Sequence, residues 1–232
     1  MLEGFQRKID NSKGDIVTAE QCFEALTDDE KNELINNKRE IEFAAGETII
    51  KEGFVASHIM YIEKGLAKLD VITDGKTSTV GLVPPKSFVG IICTFAGHNF
   101  EFSSTALEKT TITLFDIDVF EKFVNQNGVF ACKIIKHMSL LTNKLVHQIA
   151  RISNKNIDGA LSILLLDFAN IYKSDNFVFP LNRKELAQML GYSKESVINT
   201  LSKFNKEGII EVNDKKIKIL DRKLLERTAK LG

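Results

Sequence analysis

The stretch LNRKELAQMLGYSKESVINTLSKFNKEGII, Leu181 to Ile210, concentrates side chains that can read base edges. Lys194 can donate to guanine, Glu195 can accept from cytosine, and Asn199 can pair bidentately with adenine. Lys203 lies on the same outward face, and Asn182, Arg183, Ser193 and Ser196 are further candidate DNA contacts around it. Beyond them, Lys215, Lys216 and Lys218 could meet phosphate.

These groups need a scaffold, and the same stretch supplies one. Asn182 can cap a helix running RKELAQML, whose apolar face is Leu186, Met189 and Leu190. Gly191 ends that helix where the turn needs a positive φ. Ser193 caps a second helix, with Val197, Leu201 and Phe204 facing inward at spacings of four and three. Two helices across a tight glycine turn make a helix-turn-helix, with base-reading groups at the N-terminal end of the second helix. GIIEVNDKKIKIL then reads as two alternating strands around Asn213-Asp214, a hairpin or wing.

Charge is distributed to match. The net charge is zero, yet residues 155–232 hold 14 Lys/Arg against 10 Asp/Glu, and the rest is acidic by the same margin. A basic C-terminal part suits an anionic partner, double-stranded DNA here. The 232 residues suggest more than one domain. No apolar run reaches the length of a membrane span, and the N-terminus has no apolar signal core, so the expected location is cytoplasmic with no membrane partner. Cys22, Cys93 and Cys132 are widely spaced and form no CxxC, which signals neither a disulfide framework nor a zinc site.

From Arg39 to Ile117 the pattern is of short alternating strands separated by turn glycines, with a hairpin signal at TDGK, residues 73–76. That texture predicts a closed or rolled β structure. From Asp118 it turns helical. Ile134, Met138, Leu141, Leu145, Gln148 and Ile152 fall at heptad spacing, which predicts a dimer seam, although a stripe buried inside one domain would look the same. SNKN at 153–156 breaks that stripe and marks a hinge near residues 152–158.

The chain resembles the Crp/Fnr family of bacterial transcription regulators from about Cys22 to Asp221. The most specific match is RKELAQMLGYSKESV, on the family's R-x-E-[IL]-A-x-x-[LV]-G-x-[ST]-x-E-[ST]-V pattern. FAAGETIIKEG, IMYIEKGLAKL, DGKTSTVGLVPPKSFVG and STALEKTTITLFDIDVFEKF resemble the strands and turns of a cyclic-nucleotide-binding roll. The resemblance implies an α+β architecture. Residues 1–117 would form a β-roll sensor domain (a double-stranded β-helix of jelly-roll type), 118–154 the dimerisation helix, and 155–232 a winged helix-turn-helix. It also implies a homodimer on a palindromic operator, a small-molecule effector and, if the chain activates, RNA polymerase as a partner.

Two departures bear on the effector. The position that carries the family's ribose-binding Glu is Ile91, and no Lys or Arg occurs between Lys86 and Lys109 to meet a cyclic phosphate. The sequence therefore argues against cyclic AMP and leaves the effector unidentified. The pocket expected instead is apolar, drawn from Val89, Gly90, Ile91, Ile92, Phe95, Phe100, Phe102 and Ser103. Three scattered cysteines do not suit the four-cysteine iron–sulfur cluster of the oxygen-sensing branch. Haem stays open, with His98, Cys93, His137 and His147 as axial-ligand candidates. The alternatives are a haem- or redox-responsive member of the same family, or a sensor acting mainly through a protein partner. No nucleophile–base pair, phosphate loop or metal constellation points to an enzyme.

Overall fold

The computed structural model of the chain describes residues 17–97 and 99–232, and for residues 148–153 the backbone alone. Of the sequence expectations, His98 and the side chains of Gln148 and Ile152 lie outside the described residues.

Two short helices come first, α1 (Ala19–Glu24) and α2 (Asp28–Asn36). Thr18 and Thr27 start them with reciprocal capping boxes to Gln21 and Glu30. Eight strands follow: β1 (Lys38–Phe43), β2 (Thr48–Ile50), β3 (His58–Lys64), β4 (Ala67–Thr73), β5 (Lys76–Val83), β6 (Ser87–Val89) and, after the short helix α3 (Ile91–Ala96), β7 (Ser103–Ala106) and β8 (Thr110–Asp116). They form two antiparallel four-stranded sheets, ordered β1-β8-β3-β6 and β2-β7-β4-β5. The β4–β5 hairpin closes at Asp74-Gly75, both at positive φ, with Thr73 paired to Lys76. Gly65, at φ +91°, lets β3 pass into β4 against Thr110, whose Cα would stand 2.6 Å from any Cβ placed there.

Period-two alternation divides the core. Met60, Ile62, Ile112 and Leu114 face the interior between the sheets, where they meet Ile50, Val89 and Phe100. Ile59, Tyr61 and Phe115 face the other way and pack against α1, α4 (Ile117–Gln126) and α5 (Gly128–Ser153). The helical region after residue 117 is thus two helices. Asn127 leaves the helical conformation and caps α5, its Oδ1 accepting from the Phe130 N–H at 3.0 Å.

The C-terminal unit comprises α6 (Ile157–Tyr172), β9 (Asn176–Val178), α7 (Arg183–Leu190), α8 (Lys194–Lys206), β10 (Ile210–Asn213), β11 (Lys216–Ile219) and α9 (Arg222–Leu231). Its three-stranded sheet has the order β10-β11-β9. Its core includes Leu161, Leu165, Phe168, Leu186, Leu201, Phe204 and Ile217, and it also takes in Leu66 and Leu107 from the roll.

The seam expected along α5 needs correction at its N-terminal end. Ile134 is only 6% exposed and Met138 packs beside it, both against the roll's outer cluster. That half of the stripe is internal core, because α1 and α4 already cover it. Leu141 is half-buried, and Leu145 sits on the exposed side with its Cδ1 near Gly81 of β5. The solvent face of α5 instead carries Ile135, Ser139, Thr142 and Val146, again at spacings of four, three and four.

Candidate nucleic-acid interface

The interface is assembled at the N-terminus of α7. Asn182 Oδ1 accepts from the Lys184 and Glu185 amides at 2.9 and 3.0 Å, and Glu185 Oε2 accepts from the Asn182 N–H at 2.8 Å. This capping box satisfies donors that would otherwise point into solvent unpaired. Gly191 ends α7 in the left-handed region at φ +73°, with open space around its Cα. Ser193 Oγ then accepts from the Ser196 N–H at 3.1 Å and starts α8. Val197, Thr200, Leu201 and Phe204 are buried under α8, and Lys194, Glu195, Ile198 and Asn199 stand exposed on its outer side.

The wing is the β10–β11 hairpin. Its turn lies at Asp214-Lys215, one residue later than the sequence suggests, because Asn213 already pairs with Lys216. Arg183 Nη2 donates to the Asp214 carbonyl at 2.9 Å and ties the start of α7 to the wing tip. Burial lowers the Arg183 guanidinium from its ordinary value, with Asp214 opposing. Lys215, Lys216 and Lys218 are exposed along the wing. A groove of about 320 Å³ runs between α8 and the wing, lined among others by Arg183, Ile198, Ser202, Asn205 and Val212.

The structure places two of the sequence-selected residues differently from the rest. Lys203 Nζ donates to Asp158 Oδ2 at 2.6 Å, so its charge is held against the first turn of α6, and this hydrogen bond raises its pKa. Arg183 is engaged by the wing rather than projecting alone. Asn182, Ser193, Lys194, Glu195, Asn199 and Lys215 are exposed, and Ser196 is half-buried.

Sequence reasoning missed how this unit is seated. Lys68 of β4, 8% exposed, lies 3.1 Å from Asp70 Oδ2 and 3.3 Å from Glu185 Oε1. Asp70 is 6% exposed and also accepts from Thr79 Oγ1 at 2.6 Å. The glutamate that caps α7 is therefore also an ion-pair partner of the roll. Tyr172 Oη donates to Glu108 Oε2 at 2.9 Å, a second link, and burial pushes the Tyr172 phenol up. Tyr192, in the turn before α8, donates to the Lys155 carbonyl at 2.6 Å, at the junction of α5 and α6.

The expected effector pocket is brought together only in part. Val89 and Phe100 are buried between the sheets with Phe102 against them, and a Cβ on Gly90 would lie 2.6 Å from the Phe100 ring. Ser103 Oγ accepts from the Glu52 N–H at 3.1 Å. Ile91 packs into the outer cluster and Ile92 is exposed, on faces of α3 other than the one that sends Cys93 inward, so these two do not line it. Phe95 is also exposed. Of the haem-ligand candidates, Cys93 is buried in the roll interior, His147 is exposed, and His137 binds the Val17 carbonyl through Nδ1 at 2.8 Å. Cys22 is buried too, and burial pushes its thiol up to about 11, with Lys133 opposing. Among the described residues, no group of three or more His, Cys, Asp or Glu could hold a metal ion.

Two family models match this chain, a cyclic nucleotide-binding domain over residues 40–127 and a Crp-like helix-turn-helix domain over residues 160–228. The chain belongs to the Crp/Fnr family of transcription regulators. The nitrogen fixation regulation protein FixK of Bradyrhizobium diazoefficiens is 25% identical to this Crp/Fnr chain over 201 residues, 82% of each chain. The transcriptional activator FnrA of Stutzerimonas stutzeri is 22% identical, over 79% of this chain and 78% of its own. The solved structure of FixK2 from Bradyrhizobium japonicum shares the fold with a TM-score of 0.73 at 17% identity, covering 82% of this chain and 96% of that one. Among the described residues of the Crp/Fnr chain, no helix is long and apolar enough to cross a membrane.

Proposed function

We propose that this regulator acts as a homodimer that sets two copies of α8 into successive major grooves of a two-fold symmetric DNA site, under control of an effector other than cyclic AMP. One observation carries the reading: α8 presents Lys194, Glu195 and Asn199 to solvent from its N-terminal half, beside a lysine-bearing wing. In a helix-turn-helix that end of the second helix meets base edges, and the wing meets phosphate. The proposed dimer face is the exposed stripe Ile135, Ser139, Thr142 and Val146 of α5. Ile135 is 64% and Val146 58% exposed, so a second copy would remove real apolar surface from water. Where the regulator activates, RNA polymerase is the further partner.

Control follows from the seating of α7. The ion pair from Lys68 to Glu185 and the Tyr192 contact with Lys155 connect the helix-turn-helix both to the roll and to the end of α5. An effector that prefers one seating of α7 would shift the population in which the two α8 helices stand about 34 Å apart. Cyclic AMP fits this role poorly. No Lys or Arg lies between Lys86 and Lys109, and Lys68 is held by two carboxylates at the boundary with α7. Cyclic AMP should show no micromolar binding by calorimetry and should leave DNA affinity unchanged.

The test of the DNA reading is a gel shift across ionic strength. Neutralising six or more phosphates predicts a fall in affinity of about a thousandfold between about 50 and 200 mM salt. Affinity independent of salt would leave the helix-turn-helix as a protein-binding element.

A further inference from the structure

Ile198 has no role in capping or in the core of the helix-turn-helix. It is 40% exposed, although the other large apolar residues of α8, Val197, Leu201 and Phe204, are buried. It stands one turn beyond Lys194 and Glu195 and adjoins Asn199, on the rim of the groove between α8 and the wing. The polar residues around it each have a base edge they can satisfy. An isoleucine has none, and the major groove offers it one apolar feature, the C5-methyl group of thymine. We infer that Ile198 is a specificity-determining residue that packs on a thymine methyl in each half-site, next to the base pair facing Asn199. This rests on the DNA reading above and adds to it an A·T requirement that the charged residues do not impose.

Deoxyuridine isolates the methyl group, because it differs from thymidine in nothing else. A randomised-duplex selection on the wild-type protein first yields the preferred site. Each thymine of one half-site is then replaced singly by deoxyuridine, and binding is measured for wild type and for Ile198→Ala. Burial of one methyl predicts a loss of about fourfold at one thymine for the wild type. Ile198→Ala should bind the thymine and uracil duplexes alike and keep the wild-type melting temperature, since the side chain is exposed. A selected site without thymine near the base pair read by residue 199, or a wild type indifferent to every uracil, would overturn the assignment without use of the variant. So would an Ile198→Ala protein that still distinguishes the two duplexes. A selection that enriches no sequence would overturn the DNA reading and this assignment with it.

Discussion

At the scale of the residue, two glycines with the same sign of φ carry different burdens. Gly191 turns α7 into α8 at φ +73° with nothing within 4 Å of a Cβ, so Gly191→Ala should cost only the left-handed backbone, about 1–2 kcal/mol. Gly65, at φ +91°, would drive a Cβ to 2.6 Å from the Lys109 carbonyl oxygen. Gly65→Ala should add about 1–3 kcal/mol of overpacking to the same backbone strain. Urea midpoints of the two variants check this, and equal losses would show that the strand around Thr110 gives way freely. Asn199 lies on the proposed DNA face, where a substitution would show in specificity rather than in stability. It is exposed beside Glu195 and suits adenine, whereas an arginine there could fork onto guanine. Asn199→Arg should shift the selected base pair opposite it toward guanine by about 1–3 kcal/mol, as read by selection on both proteins. Unchanged preference at every half-site position would show that residue 199 meets only phosphate.

At the scale of the element, the ion-pair cluster behind α7 is where local sequence rules stop being sufficient. Lys68 and Asp70 lie two residues apart in β4 and so share a face, while Leu69 and Val71 take the other. Alternation alone assigns the charged pair to solvent, and it has no way to see α7 arriving from more than a hundred residues downstream. The caps at Asn182 and Ser193, the Asp74-Gly75 hairpin and the inward stripe of α8 were legible because each is set by residues within a turn or two. The strand orders β1-β8-β3-β6 and β2-β7-β4-β5 were not, since neighbours such as Ile41 and Ile112 are joined by register rather than by sequence proximity. The cluster can be tested without disturbing the cap. Glu185→Gln keeps a side chain competent for a capping box yet removes the charge facing Lys68. Lys68→Met would leave Asp70 and Glu185 without their cation, at a cost of about 3–5 kcal/mol. A double-mutant cycle between the two should return a coupling of at least about 0.5 kcal/mol, and additivity would mean that the roll and α7 merely touch there.

At the scale of the whole molecule, α5 has an apolar stripe and, one residue out of step, a mixed stripe with Ile135 and Val146 at its ends. One is anchored in the roll by Ile134 and Met138, and the other faces solvent at Ile135 and Val146. The sequence pattern could not rank them, because a heptad repeat records burial and not the identity of what does the burying. Val146→Asp should give a folded monomer by light scattering, since the carboxylate is tolerated in water and excluded only from the proposed dimer face. Ile134→Asp should lower the melting temperature of the single chain instead. A dimeric Val146→Asp protein would move the interface elsewhere. The shared core of Leu66 and Leu107 with the C-terminal unit has a consequence for the order in which the chain is made. Synthesis at about 5–20 residues per second leaves the ribosome roughly 6–23 s from completing β8 of the roll to delivering the last residue of α9. During that interval Leu66 and Leu107 lack the cover of the C-terminal unit, and Lys68 has Asp70 but not yet Glu185, so the newborn roll carries a wet apolar patch beside an exposed ion pair. The nascent chain is most adhesive just before its DNA-binding end emerges, and it loses that adhesiveness when its own C-terminus folds back onto it.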